Sequence, residues 1–217
     1  MTGGPGILGV IVAAAWAAPV PAGSLHVRIS RADVVEQFAA WASSHGATGD
    51  AAVPVCRPFA EGAHLCAVVE EAGTRRMATR ADGVALPAAE AAVRARASAT
   101  LATLERRSVD GAAGTLWVRA RGDGQDHDPL VDPEALARRV GTPLVVAAPT
   151  RDLLVAWNAG DPAFDRIVAV GILKACETDA ACASALAWRW DGATWRTWGK
   201  ATREGAPPSP PPAPAPR

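Results

Sequence analysis

Two uninterrupted apolar segments, residues 144–148 and 153–157, are separated by only four residues. A short apolar run bounded by turn residues is typical of a strand that is buried on both faces. The four intervening residues are Pro149, Thr150, Arg151 and Asp152. Because proline and aspartate favour turns, we predict a pair of central strands joined by this segment.

The first helix is predicted to begin after Ser30, which would act as its N-cap, and to run to about Ser44. Asp33 stands three residues after Ser30, as in a capping box. The face that we expect to be buried carries three residues at helical spacing: Val34, Phe38 and Trp41.

Three further helices are predicted to begin at prolines, because the fixed φ of proline suits the first turn of a helix. These are Pro87, Pro133 and Pro162. The first is expected to reach Leu104, with Glu105 and Arg106 on its exposed side.

Strands are predicted over residues 74–80 and 115–121. Strands that alternate irregularly with helices, several of them in hairpins, predict an α+β fold with a mainly antiparallel sheet and helices packed on it.

The two ends of the chain differ from its body. An apolar run over residues 7–18 is followed by Val20 and Ala22, at the minus-three and minus-one positions of a cleavage site, so residues 1–22 are predicted to be a signal peptide. Residues 204–217 are rich in proline and are predicted to be a disordered tail. This leaves a single domain over residues 23–203. We expect the mature protein to be periplasmic or secreted and to lack a transmembrane segment, since the apolar run is too short to cross a bilayer.

The four cysteines are predicted to form two local disulfides. In a hairpin with residues 60–62 as its loop, Cys56 lies opposite Cys66, within disulfide range. Gly62 would supply the left-handed position of that loop. Cys176 and Cys182 would close a short loop after a helix. A zinc site is the alternative, although neither spacing is the C-x-x-C type and no histidine clusters with the cysteines.

The charges limit the partners of the chain. Lysine and arginine total 22, as do aspartate and glutamate, and no block of like charge stands out. Nucleic acids and anionic membranes require a basic surface, so neither is expected as a partner. No cofactor is predicted.

An acidic loop contains a first candidate site. Asp123, Asp126 and Asp128 could supply oxygen ligands to a calcium ion, with His127 as a base. The alternative is a solvated loop in which Asp132 caps the following helix.

The turn between the two central strands contains a second candidate. The planar guanidinium of Arg151 could bind a carboxylate or phosphate beside Asp152, at a solvent-accessible rim of the sheet. The alternative is a structural pair, in which Asp152 accepts hydrogen bonds from the turn and Arg151 binds a neighbouring acid.

The C-terminal hairpin contains a third candidate. With a two-residue turn at Asp191 and Gly192, Trp188 lies opposite Trp195 and Trp190 is diagonal to Trp195 on the same face. Such a face could bind a sugar or a peptide. The alternative is that these tryptophans pack against a helix.

The segment Leu-Val-Val-Ala-Ala-Pro-Thr-Arg-Asp-Leu-Leu, at residues 144–154, lies between a short helix and a further helix. This arrangement, over roughly residues 85–176, resembles the YtpQ-like proteins of bacteria, which carry a similar Pro-Ser/Thr-Arg-Asp-Leu-Leu segment. The chain departs from them in its leader, its four cysteines and its tryptophan-rich hairpin. The resemblance supports the fold class and supplies no catalytic residues.

The sequence contains no G-x-S-x-G motif and its four histidines are scattered. We therefore expect an exported, non-catalytic domain that binds a ligand or a partner protein. The alternatives are a secreted metal-assisted hydrolase that uses the acidic loop and a glycan-binding module that uses the tryptophan hairpin.

Export is testable from the intact mass of the protein recovered from its native host. We expect the mass of a chain that begins at Gly23, because Val20 and Ala22 fit the cleavage site. A cytoplasmic product that retains Met1 would contradict the prediction.

Overall fold

The computed structural model describes residues 20–178 and 182–200. Most of the predicted signal peptide and the whole proline-rich tail lie outside these residues. Among the helices in the described part of the chain, none is long and apolar enough to cross a membrane.

The fold is α+β and all its strand pairs are antiparallel, as predicted. The strands are β1 (Leu25–Arg31), β2 (Cys56–Ala60), β3 (Ala63–Glu71), β4 (Thr74–Met77), β5 (Glu105–Ser108), β6 (Thr115–Arg119), β7 (Leu144–Thr150), β8 (Leu153–Asn158), β9 (Leu186–Trp190) and β10 (Trp195–Lys200). The helices are α1 (Ala32–Ser44), α2 (Leu86–Ala95), α3 (Ala97–Ala102), α4 (Pro133–Val140) and α5 (Pro162–Thr178).

The described strands form two sheets. In the smaller one, β3 pairs with β1 on one side and with β2 and β4 on the other. The larger one has the order β10-β9-β7-β8-β6-β5. The main core joins both sheets and includes Ile29, Leu65, Val146 and Trp188. A second core lies between the larger sheet and α5.

The predicted central strands are confirmed as β7 and β8. Alternate residues of β7 face the two cores, with Val146 in the main core and Val145 in the second, which explains why the run is apolar without interruption. The turn is shorter than predicted, because Thr150 already pairs with Leu153. An irregularity in the ladder between Ala147 and Thr150 accommodates a proline, which cannot donate to a neighbouring strand.

The predicted start of α1 is wrong. Ser30 lies in β1 opposite His64, and the helix begins at Ala32 without a side-chain cap. Asp33 binds Arg31 instead of capping the helix. Pairing between β1 and β3 extends through Arg31, so a tertiary contact overrides the local capping signal.

The predicted buried face of α1 is also wrong. Val34 and Trp41 are exposed, and Ala42 is the buried residue of this helix. The side that carries Val35 and Ala39 is partly buried. Because α1 lies at the margin of the fold near β1 and β3, its smaller side chains are the ones that pack.

The helix predicted from Pro87 to Leu104 is interrupted. Arg96 separates α2 from α3, and its guanidinium binds the Asp128 carboxylate and the Leu25 carbonyl. Glu105 and Arg106 lie in β5, paired with β6, and not on a helix. Val93, Ala97 and Leu104 are nevertheless buried along this segment.

Both predicted disulfides are present. Cys56 pairs with Cys66 across the β2–β3 ladder, with Cα atoms 4.1 Å apart, and Cys176 is bonded to Cys182. The loop has two residues where three were predicted, because Ala60 pairs with Ala63 after an irregularity at Phe59. Gly62 has the predicted positive φ, 71°.

The register predicted for the C-terminal hairpin is wrong. Its loop has four residues, in which the Asp191 carboxylate accepts hydrogen bonds from the backbone N–H groups of Ala193 and Thr194. As a result, Trp195 pairs with Trp190, whereas Trp188 lies opposite Thr197.

A buried loop joins the two sheets at β1, which is an edge strand. The N–H groups of Val27 and Ile29 point away from β3, and they donate to Asp128 Oδ1 (3.4 Å) and His127 Nδ1 (3.1 Å). His127 Nε2 in turn lies 3.0 Å from the carbonyl oxygen of Thr150 at the end of β7. One imidazole therefore binds both sheets. Because Nδ1 accepts, the proton is on Nε2, which donates to Thr150.

Protonation of His127 would break this connection. The ring is fully buried, and burial, opposed by the hydrogen bond to Thr150, lowers the pKa of His127 from 6.5 to about 4. Since the unfolded chain takes up the proton first, the stabilisation is complete above pH 6.5 and is lost as the pH falls toward 4. The loss corresponds to roughly 3 kcal/mol.

Replacement of His127 by alanine is expected to lower the free energy of unfolding at pH 7.5 by about 2–4 kcal/mol, because the buried N–H of Ile29 loses its acceptor. The variant should also lose the part of the pH dependence between 6.5 and 4 that His127 contributes. Urea unfolding at a series of pH values measures both effects. His45 is exposed, so His45→Ala should keep the wild-type pH dependence. An unchanged pH dependence in His127→Ala would contradict the assignment.

Candidate anion-binding site

A cavity of about 490 Å³ lies where the β3–β4 turn, the loop after β6 and the β7–β8 turn meet. We call it the arginine pocket. Its polar and glycine lining residues are Arg28, Gly73, Thr74, Arg75, Gly122, Gly124, Arg151 and Asp152. Strand β1, the β3–β4 turn with the start of β4, and the β7–β8 turn, which are distant in sequence, thus bring three guanidinium groups to one cavity.

Arg28 lies on β1 and is partly buried. Its guanidinium makes no hydrogen bond or ion pair with the residues that the structure describes. Burial, together with repulsion from Arg151, lowers the pKa of Arg28 below its usual value, and attraction to Asp152 offsets only part of this. Arg28 is therefore a cation in the pocket that lacks a bonded counter-ion.

Arg75 is fixed in place by both charge and shape. Its Nε donates to Glu70 Oε2 and its Nη1 donates to the carbonyl oxygen of Gly122, both at 3.0 Å. The hydrogen bond from Arg75 lowers the pKa of Glu70. The guanidinium also packs on Gly124, where an added Cβ would lie 2.4 Å from Arg75 Nε. Gly124 has a φ of 74°, a conformation that favours glycine, and a Cβ at this position would displace the Arg75 side chain.

Arg151 and Asp152 lie at the rim of the pocket, at the end of the larger sheet, where the sequence places them. The Arg151 side chain is 66% exposed, and its Nε donates to Asp152 Oδ2 at 3.0 Å. Sequence reasoning missed Arg28 and Arg75. The only sequence signal for Arg28 or Arg75 is a charged side chain that lies within or beside a strand.

The acidic loop does not assemble the predicted calcium ligands. Asp123 and Asp126 both bind the buried Arg119, and Asp126 also accepts from the backbone N–H groups of Arg121 and Gly122. Asp128 binds Arg96. Within residues 20–178 and 182–200, no group of three acidic, histidine or cysteine residues could hold a metal ion. The carboxylates have structural partners, and the loop contributes Gly122 and Gly124 to the arginine pocket.

Three tryptophans of the C-terminal hairpin, Trp188, Trp190 and Trp195, pack into the main core. Trp188 is fully buried and lies edge-on to Phe59, with ring centroids 5.5 Å apart. Trp195 packs on Phe59 and on Trp190. The hairpin therefore presents no flat row of three indoles to solvent.

The charges of the arginine pocket favour an anion. Arg75 is paired with Glu70 and Arg151 with Asp152, so the charge of Arg28 is left unbalanced. Guanidinium groups bind carboxylates and phosphates with two parallel hydrogen bonds, which ammonium groups cannot form. A carboxylate or phosphate could contact Arg28 at the base while Arg151 turns toward it from the rim.

No family model, no curated protein and no solved structure matches this chain. The resemblance to the YtpQ-like proteins consequently stays a prediction.

Replacement of Arg28 by methionine is expected to stabilise the protein by about 0.5–1 kcal/mol in a buffer without phosphate or sulfate. The substitution removes a desolvated charge and its repulsion with Arg151 while it keeps the aliphatic stem. Arg151→Met is the matched control and should change stability by less than about 0.5 kcal/mol, since that side chain is exposed. Thermal unfolding measures both. A marked loss of stability in Arg28→Met would show that Arg28 is a structural residue.

Proposed function

We propose that this protein is an exported, non-catalytic domain that binds a small anionic ligand in the arginine pocket. The observation that carries the proposal is that Arg28, a partly buried arginine, lines the pocket and has no bonded counter-ion among the described residues. The ligand would bear a carboxylate or a phosphate group.

The energetics support an anion over a neutral ligand. A buried charge without a partner is destabilising, and the like charge of Arg151 adds to this. An anionic oxygen near Arg28 would relieve both effects, so its interaction with the pocket is stronger than that of a hydroxyl group.

The dimensions support a small molecule over a macromolecule. A volume of about 490 Å³ is within the range of small-ligand pockets. The formal net charge of zero argues against a nucleic acid, which needs an extended basic surface.

The lining supports binding over catalysis. Among the described residues that line the pocket, Thr74 is the only one with a hydroxyl group, and none is a histidine or a cysteine. His127 lies nearby, but both its ring nitrogens are used by backbone groups. Asp152 is the one carboxylate among these lining residues, and Arg151 holds it in an ion pair. Acid–base or nucleophilic chemistry requires a carboxylate, imidazole, hydroxyl or thiol that is free to face the ligand.

The two disulfides support export, because disulfides persist in oxidising compartments such as the periplasm and the extracellular space. This agrees with the leader that the sequence predicts.

The binding experiment uses isothermal titration of the purified protein with orthophosphate, pyrophosphate and citrate. We expect at least one of these anions to bind and glucose, the neutral control, not to bind. Arg28→Met should abolish binding and Arg151→Ala should weaken it by at least tenfold, while both variants stay folded. Failure of all three anions, or equal binding by Arg28→Met, would refute the pocket as an anion site.

A glycine pair tests the position of Arg75. Gly124→Ala should weaken anion binding by at least fivefold, because its Cβ displaces the Arg75 guanidinium. Gly122→Ala is the matched control, since Gly122 also has a positive φ but has open space at the Cβ position. Both substitutions strain the backbone by about 1 kcal/mol. Equal affinities in the two variants would show that Arg75 does not contribute to binding.

A further inference from the structure

Three rings form a row on the outer face of α1. Phe38 and Trp41 have ring centroids 6.1 Å apart, and Trp41 and His45 have centroids 4.4 Å apart. We call these three residues the aromatic row. Trp41 is 57% exposed, in contrast to the fully buried Trp157 and Trp188. Phe38 is half-buried and His45 is exposed, so the row presents Trp41 to solvent between two further rings. An exposed aromatic surface of this kind on a folded domain is a candidate interaction surface.

The chain leaves the described domain beside the start of this helix. The N–H of Ala32 donates to the carbonyl oxygen of Gly62 at 3.1 Å. Gly62 lies against Leu186, since an added Cβ would be 3.1 Å from Leu186 Cδ1. Leu186 pairs with Lys200, the last described residue. Three contacts, through Gly62 and Leu186, therefore connect the first residue of α1 to Lys200, where the segment that follows begins.

That segment has the composition of a ligand for aromatic surfaces. Seven of the ten residues from 207 to 216 are prolines. Proline-rich segments with a P-x-x-P spacing bind aromatic-lined surfaces as polyproline II helices, at a low entropic loss. Pro207 and Pro210 have this spacing, as do Pro211 and Pro214.

The length of the aromatic row also agrees with the spacing of the prolines in the tail. From Phe38 to His45 the helix rises about 10 Å, and one turn of polyproline II spans about 9 Å, so prolines three residues apart match the ends of the row. Seventeen residues in this conformation reach about 50 Å, whereas the whole of α1 is about 20 Å long.

We propose that the proline-rich segment over residues 207–216 binds the aromatic row of the same chain. The row would then be covered by the tail in the protein that carries it. This proposal is independent of the arginine pocket.

Attachment makes even a weak interaction effective. A short flexible connection holds the tail at an effective concentration on the order of 1 mM. An interaction with a Kd of about 0.1 mM for a free peptide would therefore be about nine-tenths occupied within the chain.

Hydroxyl-radical footprinting with mass spectrometry measures the exposure of Trp41 separately from the other tryptophans. The full chain is compared with a variant in which the seven tail prolines are replaced by serine, and with a chain that ends at Lys200 and so keeps every described element. We expect oxidation of Trp41 to be at least threefold faster in both variants. Val170, an exposed apolar residue of α5, is the internal control and should not change.

A synthetic peptide of residues 201–217, added at millimolar concentration to the chain that ends at Lys200, should restore the protection of Trp41. The same peptide should not bind a Trp41→Ala variant of that chain. Equal oxidation of Trp41 with and without the tail would overturn the proposal. Protection of Trp41 that depends on protein concentration would overturn the proposal and indicate a second copy of the chain. Protection that depends on residues 1–22 would overturn it and indicate the leader.

Discussion

The unpaired edge of β1 is the constraint on which the arrangement of this protein depends. A buried edge strand leaves N–H groups that must find acceptors, and β1 finds them in the side chains of His127 and Asp128. His127 also donates to Thr150 of the other sheet, and Asp128 holds Arg96 at the break between α2 and α3. The relative position of the two sheets and the path of two helices thus depend on two adjacent side chains.

The arginine pocket follows from the same arrangement. The loop that supplies His127 and Asp128 also supplies Gly122 and Gly124, and the strand that binds His127 at Thr150 continues into the turn that carries Arg151. The carboxylates of this loop form ion pairs with Arg119 and Arg96 within the fold. Arg28, on the strand whose edge is covered, has no bonded carboxylate in the part of the chain that the structure describes. The candidate site is therefore a cavity that contains a partly buried charge without a bonded partner among the described residues.

The features that sequence analysis predicted correctly are those that local rules decide. Buried central strands, the cap of α4 by Asp132 and the pairing of Cys56 with Cys66 depend on residues within about ten positions of one another. The start of α1 and the break at Arg96 depend on β3 and Asp128, which are distant in sequence. The predicted register of the C-terminal hairpin is wrong because the Asp191 carboxylate organises a four-residue loop, longer than the Asp-Gly pair predicts. Arg28 and Arg75 could not be associated with Arg151, because only the topology brings their segments together.

Each disulfide joins cysteines that follow one another in the chain, ten and six residues apart. A chain that emerges into an oxidising compartment from its N-terminus presents Cys56 and Cys66 together, and more than a hundred residues pass before the next cysteine appears. If cysteines pair in the order in which they emerge, the disulfides that form are therefore the native ones. Such a chain can form both disulfides during translocation without an isomerase to rearrange them. Neither disulfide requires the two sheets to have packed together first.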